Sequence, residues 1–353
     1  MRFGEAVNSL EEYIPFSYKP NMIRLDANES SLVLPEKMIK GISEAVSKVD
    51  FNRYPDPYCK ELRIAYGKYY GIDPENVVVG NGSDELISII FSSLVPADSK
   101  VLTVAPDFSM YSFYSTLYGR ENKVFNKDIN YNLDIDGFIS EINDGGYDFV
   151  MFSNPCNPTG QAIEREDILR IVKSVKATVC VDEAYMDFWD QSLLTEVDQY
   201  DNLIVLRTVS KIGYAAYRLG FAAANAELTA LIRAVKSPYN INSLSQAAGE
   251  TVFADPDDLR ARICAIRESR DWLYTAVSAL YKRFPCAFRV PESRANFVTL
   301  LMPDPKPLFD HLTANKIYVS LNAGKYLRIT CCSPEDNAKI VEVLQEYFEK
   351  QGV

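Results

Sequence analysis

Between residues 77 and 224 the chain repeats one pattern: a short apolar run, a polar residue or glycine at its end, then a stretch with helical spacing. Residues 77–79, 100–104, 121–125, 148–152, 178–181, 203–206 and 219–224 read as strands. Helical spacing fills the intervals at 107–118, 136–142 and 164–175. Strand and helix alternating in this way predict an α/β fold, a mostly parallel sheet with helices on both faces. Few other architectures accommodate so many buried strands separated by helices.

The flanks differ in texture. Residues 1–34 lack long periodic runs and read as an N-terminal arm lying across the body. Pro35 opens a helix to about Val49, with Ile39, Ile42, Val46 and Val49 on one face. Asn52 to Pro57 contains two prolines and is expected as an exposed, rigid turn, followed by a helix over 59–70 that Gly71 closes. After Pro238 a long helical stretch runs from about Gln246 to Phe284, interrupted near Pro256. Strands at 288–290, 296–302, 317–319 and 326–331 follow, with a helix at 307–315 and a last helix opened by Ser333-Pro334-Glu335-Asp336. The expected division is thus an arm (1–34), a large domain (35–245) and a smaller α+β domain (246–353).

Charge and composition remove several function classes. The net charge is −11 and no basic run is present, which argues against nucleic acid or an anionic membrane surface as partner. No apolar stretch reaches transmembrane length, and the start lacks the apolar core of a signal peptide. The seven cysteines show no CxxC spacing, and Cys331-Cys332 suits a buried strand, so the cytoplasm is the expected location. His311 is the only histidine, which excludes histidine triads and two-histidine metal sites; no metal is expected. Any proton shuttle must use Lys, Tyr, Asp, Glu or Cys.

The polar strand ends supply such groups. Asn157 lies in the loop Ser153-Asn154-Pro155-Cys156-Asn157-Pro158-Thr159-Gly160, Asp182 and Tyr185 end the strand at 178–181, and Lys211 follows the strand at 203–206. Ligands of α/β sheets bind at strand ends of this kind. A lysine there can be desolvated enough to act as an amine nucleophile or Schiff-base partner. Gly80-Asn81-Gly82-Ser83-Asp84-Glu85 joins a strand to a helix: either its free N–H groups hold a phosphate, or it is a simple turn capped by Ser83 or Asp84. It lacks the third glycine of a dinucleotide fingerprint.

In order along the chain, Asn157-Pro158-Thr159-Gly160, Asp182-Glu183-Ala184-Tyr185, Thr208-Val209-Ser210-Lys211 and Arg218 resemble the pyridoxal-phosphate aminotransferases of fold type I. Leu25-Asp26-Ala27-Asn28-Glu29, Arg53-Tyr54-Pro55-Asp56-Pro57, the Gly80–Glu85 turn, Ala295-Asn296-Phe297-Val298 and Tyr326-Leu327-Arg328-Ile329-Thr330 resemble, within that class, the histidinol-phosphate aminotransferases. The resemblance implies pyridoxal 5'-phosphate as cofactor, carried by Lys211, which also shuttles the proton. It implies that Asp182 pairs with the pyridine nitrogen, that Asn157 and Tyr185 hydrogen-bond the phenolic oxygen, and that Phe108 stacks on the ring. It assigns the phosphate to Ser83, Asp84, Thr208, Ser210 and Arg218, with Tyr54 reaching in from the other subunit of a homodimer. On the substrate side it implies Arg328, Tyr18 and Asn28, for a small-molecule amino donor and a 2-oxo acceptor.

Three departures stand out. The interval from Lys211 to Arg218 is one shorter than in many aminotransferases, and Leu25-Asp26 replaces the more usual Leu-Asn. Ser320 stands where many histidinol-phosphate enzymes carry a phosphate-binding arginine, so phosphate binding would rest on Arg328 with Tyr18, Lys316 or Lys325. Two other readings share the pattern: a lyase like the phosphothreonine decarboxylases, and a non-catalytic cofactor-binding module.

Overall fold

The computed structural model describes residues 20–322 and 324–351. A short strand, β1 (Ile23–Leu25), and two helices, α1 (Glu36–Val46) and α2 (Lys60–Tyr70), come first. The main sheet follows: β2 (Val77–Asn81), α3 (Gly82–Ile89), β3 (Lys100–Ala105), α4 (Met110–Leu117), β4 (Glu121–Asn126), α5 (Ile135–Gly145), β5 (Phe149–Ser153), α6 (Arg165–Ser174), β6 (Thr178–Asp182), β7 (Leu203–Thr208) and β8 (Leu219–Ala223). Then come α7 (Ala226–Val235), α8 (Ser243–Ala254) and α9 (Pro256–Arg283). The remainder is β9 (Phe297–Leu301), α10 (Lys306–Ala314), β10 (Ile317–Asn322), β11 (Tyr326–Thr330) and α11 (Pro334–Gln351).

The main sheet has seven strands in the order β2-β8-β7-β6-β5-β3-β4. β8 is antiparallel to both of its neighbours, β2 and β7, and the remaining pairs are parallel. Helices on both faces explain why the central runs are continuously apolar. Val150, Phe152, Val179, Val181 and Val205 join one core cluster, while Phe149, Met151, Cys180, Ile204 and Leu206 join another. Alternate side chains point to opposite faces of a strand, and both faces here are buried.

Local chemistry sets the element ends. Asn225, Asn242 and Asp255 each cap the following helix by accepting a backbone N–H, and Pro256 occupies the first turn of α9. Gly71 ends α2 at φ 73°, a left-handed conformation that glycine adopts without a Cβ clash. The break near Pro256 therefore falls between two capped helices rather than inside one.

β10, β11 and β9 form a second, antiparallel sheet, and β1 adds to it parallel to β10, with Leu25 opposite Val319. Ile23–Leu25 is thus a paired strand; three residues are too few for alternation to show in the sequence. Two sequence expectations need correction. Residues 288–290 make only an isolated bridge, Arg289 with Leu301, not a strand. The helix expected from Asp107 begins at Met110, because the Asp107 carboxylate accepts the N–H of Phe108 and of Ser153 instead of entering a helical turn. No helix among the described residues is long and apolar enough to cross a membrane.

Candidate active site

The ends of β5, β6 and β7 lie side by side, with Ser153 opposite Asp182 and Asp182 opposite Leu206. Register alone therefore brings together the residues that follow these strands. Asp182 is 4% exposed. Its Oδ2 accepts the Tyr111 hydroxyl at 2.8 Å and its Oδ1 the Ala184 N–H at 3.0 Å. Burial pushes its pKa up to about 6, although both hydrogen bonds favour the charged form. Among the described residues no cation pairs directly with this carboxylate; the Lys211 ammonium acts on it and favours its charged form.

Lys211 follows β7 in a kinked turn whose Gly213 has φ 104°. Its Nζ donates to the Ala27 carbonyl at 3.1 Å and lies 5.9 Å from the Tyr185 ring centre. Burial first, then the Arg328 guanidinium, lowers its pKa to about 8. An amine so placed sheds its proton far more readily than a surface lysine. Tyr185 is buried, accepts Asn28 Nδ2 at 2.7 Å, and burial raises its pKa, so its own O–H remains a donor.

A second cluster forms around the start of α3. Gly82 has φ 79°, and a Cβ there would meet Arg218 Nη2 at 2.6 Å. A Cβ on Gly220 would meet the Gly82 carbonyl carbon and the Ser83 nitrogen, each at 2.2 Å. Only glycine lets β8 approach the helix start this closely. Thr208 pairs with Gly220 in register, and its Oγ1 donates to Ser210 Oγ at 2.9 Å. Asn81 makes no side-chain cap of α3, and Asp84 accepts the Tyr114 hydroxyl at 2.9 Å, so neither side chain occupies the first-turn N–H groups. Free N–H groups, two hydroxyls and a guanidinium make an anion cradle.

The second sheet delivers Arg328 on β11. It is 7% exposed, donates to Asn157 Oδ1 and to the Asp26 carbonyl, and lies 5.4 Å from the Phe297 ring centre. Ser320 is its direct cross-strand partner. Asn28 is buried, with its amide committed to Tyr185 and to Thr330 Oγ1 at 3.1 Å. Phe108 stands edge-on to Tyr111, the residue that holds Asp182, with ring centres 5.6 Å apart. Tyr54 lies apart from these groups: it is 80% exposed and stacks on Tyr239 at 4.6 Å. Lys316 and Lys325 are exposed at the two ends of β10, and Tyr18 is outside the described residues.

Sequence reasoning misses several supports of the site. Tyr111, on α4, gives no signal beyond an aromatic at core spacing, yet it holds Asp182. Arg207 is legible as an oddity, a charge inside an apolar strand; it pairs with Glu183 at 3.1 Å and Asp187 at 2.6 Å, all three buried. These neighbours of Thr208 and Asp182 point away from the site because strand side chains alternate. A buried network of this kind is costly to break from one side, about 3–5 kcal/mol.

Taken together, the donor set fits a flat, phosphorylated ring with a basic nitrogen: an anion cradle at one end, an unpaired buried carboxylate at the other and a low-pKa amine between. The family model of the class I and II aminotransferases matches residues 20–344. The histidinol-phosphate aminotransferase of Clostridium novyi (strain NT) is 37% identical, covering 95% of each chain. That of Thermoanaerobacter sp. (strain X514) is 38% identical, covering 97% of each. The crystal structure of histidinol-phosphate aminotransferase from Sinorhizobium meliloti in complex with pyridoxal-5'-phosphate is similar with a TM-score of 0.85, at 20% identity, over 99% of this chain and 98% of that one. With the fold, the cradle and the poised lysine in agreement with these likenesses, the chain belongs to the class I and II aminotransferases and is a pyridoxal-phosphate-dependent transaminase.

Proposed function

We infer that this transaminase moves an amino group between glutamate or 2-oxoglutarate and histidinol phosphate or a related aromatic amino compound. The observation that carries the reading is the meeting of Arg328 with Lys211: they donate to successive carbonyls, Arg328 to Asp26 and Lys211 to Ala27, and Arg328 also donates to Asn157 Oδ1. A planar guanidinium binds a carboxylate or phosphate through two parallel bonds. The two likenesses at 37% and 38% identity support histidinol phosphate as the second substrate.

In this reading pyridoxal phosphate supplies an electron sink at the substrate carbon. Ser83 and Asp84 offer backbone N–H groups to its phosphate, joined by Thr208, Ser210 and Arg218, and Phe108 covers the ring. Asp182 keeps a proton on the ring nitrogen, while Asn157 and Tyr185 donate to the ring oxygen and Asn28 fixes Tyr185. Lys211 would take up and give back the proton at the substrate carbon; a base with its pKa near 8 does both near neutral pH. Arg328 grips the acid group of each substrate in turn. The large domain (35–245) would hold the cofactor and the small one (246–353) this arginine, with the enzyme working in the cytoplasm as a homodimer. The exposed Tyr54, with Phe51 and Tyr58 also exposed nearby in sequence, supports a partner-facing surface from which Tyr54 reaches the other subunit's cofactor.

Ser320 sharpens the substrate test. Beside Arg328 it offers a hydroxyl where a second guanidinium would add a charge-assisted contact of about 1.5–3 kcal/mol. Ser320→Arg should therefore raise kcat/KM for histidinol phosphate by roughly tenfold to a hundredfold, the range one such contact can supply, and histidinol phosphate should turn over faster than phenylalanine and tyrosine in the wild-type enzyme. Faster turnover of the aromatic amino acids would reject histidinol phosphate as the substrate. Release of carbon dioxide, without conversion of the cofactor to its amine form by glutamate, would reject transamination.

Tyr111 yields a second expectation. Tyr111→Phe removes one donor from the Asp182 carboxylate while keeping the ring. A hydrogen bond to a charged group is worth about 1.5–3 kcal/mol, so kcat should fall roughly tenfold or more. As a positioning residue, Tyr111 should also shift the pH at which the bound cofactor's absorption changes. An unchanged spectral titration would reduce Tyr111 to a packing residue.

A further inference from the structure

The loop that presents Asn157 contains a second chemical feature that transamination does not use. Cys156 is 2% exposed, and its Sγ lies 3.1 Å from Lys127 Nζ. Both groups also converge on the Pro106 carbonyl, Nζ at 3.2 Å and Sγ at 3.4 Å. Of the seven free cysteines, Cys156 alone has a lysine amine within hydrogen-bond reach among the described residues. The loop holds this geometry through the Cys156 N–H to Gln161 carbonyl bond and the Gly160 N–H to Cys156 carbonyl bond, both 2.8 Å. Lys127 is anchored in turn by its own N–H to the Ala105 carbonyl at 2.9 Å.

We propose that Lys127 and Cys156 are a modification site: under hydrogen peroxide they condense to a sulfenamide, a direct Nζ–Sγ bond that thiols reverse. The nucleophile toward peroxide is a thiolate, and the Lys127 ammonium is the cation that faces it. Asp107 is the other charged group on this lysine. Burial works to lower the Lys127 pKa, but Cys156 and Asp107 outweigh it, so the amine enters the reaction protonated.

The steps balance with one peroxide. Sγ attacks a peroxide oxygen, the O–O bond breaks, and the departing hydroxide takes a proton from the Lys127 ammonium to become water. Cys156 is then a sulfenic acid beside a neutral amine. Sulfenic acids condense with thiols or with nitrogen. Here Nζ attacks Sγ, the S–O bond breaks, and hydroxide leaves with the amine proton as a second water. Sulfur has been oxidised by two electrons and peroxide reduced to two waters. A dithiol reverses it in two steps: one thiol attacks Sγ, the S–N bond breaks and the amine takes that thiol's proton, and the second thiol then displaces Cys156 from the mixed disulfide as a free thiol.

The bond would pull the Cys156 backbone toward the strand ends, and Asn157, the partner of Arg328, is the next residue. The test treats the cofactor-loaded enzyme with hydrogen peroxide, blocks free thiols, digests it, and analyses peptides by mass spectrometry. The expected result is a joined Lys127–Cys156 peptide pair lighter by two hydrogens, lost on adding dithiothreitol, with turnover falling as the joined fraction rises and recovering with the thiol. Lys127→Arg keeps the cation but not the condensing amine, so its Cys156 should advance to sulfinic acid instead. Unjoined peptides with Cys156 as sulfinic acid in the wild-type enzyme would overturn the proposal. So would a joined pair retaining an oxygen, or an equal yield of the joined pair in Lys127→Arg.

Discussion

Lys211→Ala is expected to lower turnover by roughly 10⁴-fold, the upper end of what a positioned acid–base group contributes, while the protein still folds and still takes up pyridoxal phosphate. The separation follows from where the lysine stands. The cradle at α3 and the Asp182 carboxylate are built by β2, β6, β7 and β8, whose ladders do not depend on the Lys211 side chain. Alanine removes the one amine whose pKa burial and Arg328 bring down to about 8. No other lysine among the described residues shares that position. Single-turnover kinetics with glutamate would measure the loss, and absorption of the bound cofactor would show that binding survives. Borohydride reduction of the loaded wild-type enzyme should leave the cofactor fixed on Lys211. A reduced label mapped to another lysine, or a Lys211→Ala enzyme within tenfold of wild type, would remove Lys211 from the chemistry.

Much of this site is legible in the amino-acid sequence because strand ends align by register. Each of β5, β6 and β7 advertises itself as an apolar run with a polar stop, and parallel pairing then places the stops together. Asn157, Asp182 and Lys211 are found that way, and Arg218 with them, since the turn between β7 and its antiparallel neighbour β8 returns to the same edge. Such reading falters where contacts join distant segments. The Tyr111 bond to Asp182 spans 71 residues and that of Arg328 to Asn157 spans 171. No local pattern encodes such a contact, because periodicity reports only which face of an element is buried. The same limit hides the pairing of Ile23–Leu25 with β10, and it explains the expected strand at 288–290, where pairing stops at the single Arg289–Leu301 bridge and makes no ladder. The N–H groups at the start of α3 are ambiguous in sequence for a different reason: a ligand cradle and a capped turn share one pattern, and only the unused Asn81 cap and the approach of Gly220 separate them.

Asp182→Asn should cost about 10³-fold in turnover, roughly 4 kcal/mol of transition-state stabilisation, and at the same time stabilise the empty protein at neutral pH. The activity loss follows from removing the buried carboxylate that, in the proposed reading, holds a proton on the ring nitrogen. The stability gain follows from the sign of the titration. The folded-state pKa of Asp182 is about 6 against an ordinary 3.8, so between these values the folded chain holds the proton that the unfolded chain has released. Stability from this group is fully present below 3.8 and is lost as pH rises through about 6. A shift of this size corresponds to roughly 3 kcal/mol. Asparagine has no such titration and nearly the same shape. Its carbonyl oxygen can still accept the Ala184 N–H, and its amide can donate to the Tyr111 hydroxyl, which rotates to accept. The variant lacking cofactor should therefore melt above wild type at pH 8, with the margin shrinking toward pH 4. Adding pyridoxal phosphate should reverse the order, because the wild-type carboxylate then gains a cationic partner that the amide cannot match. Thermal melts of both proteins, with and without cofactor across this pH range, would read all three terms. A margin independent of pH, or near-normal turnover in the variant, would show that Asp182 is not the buried anion the cofactor needs.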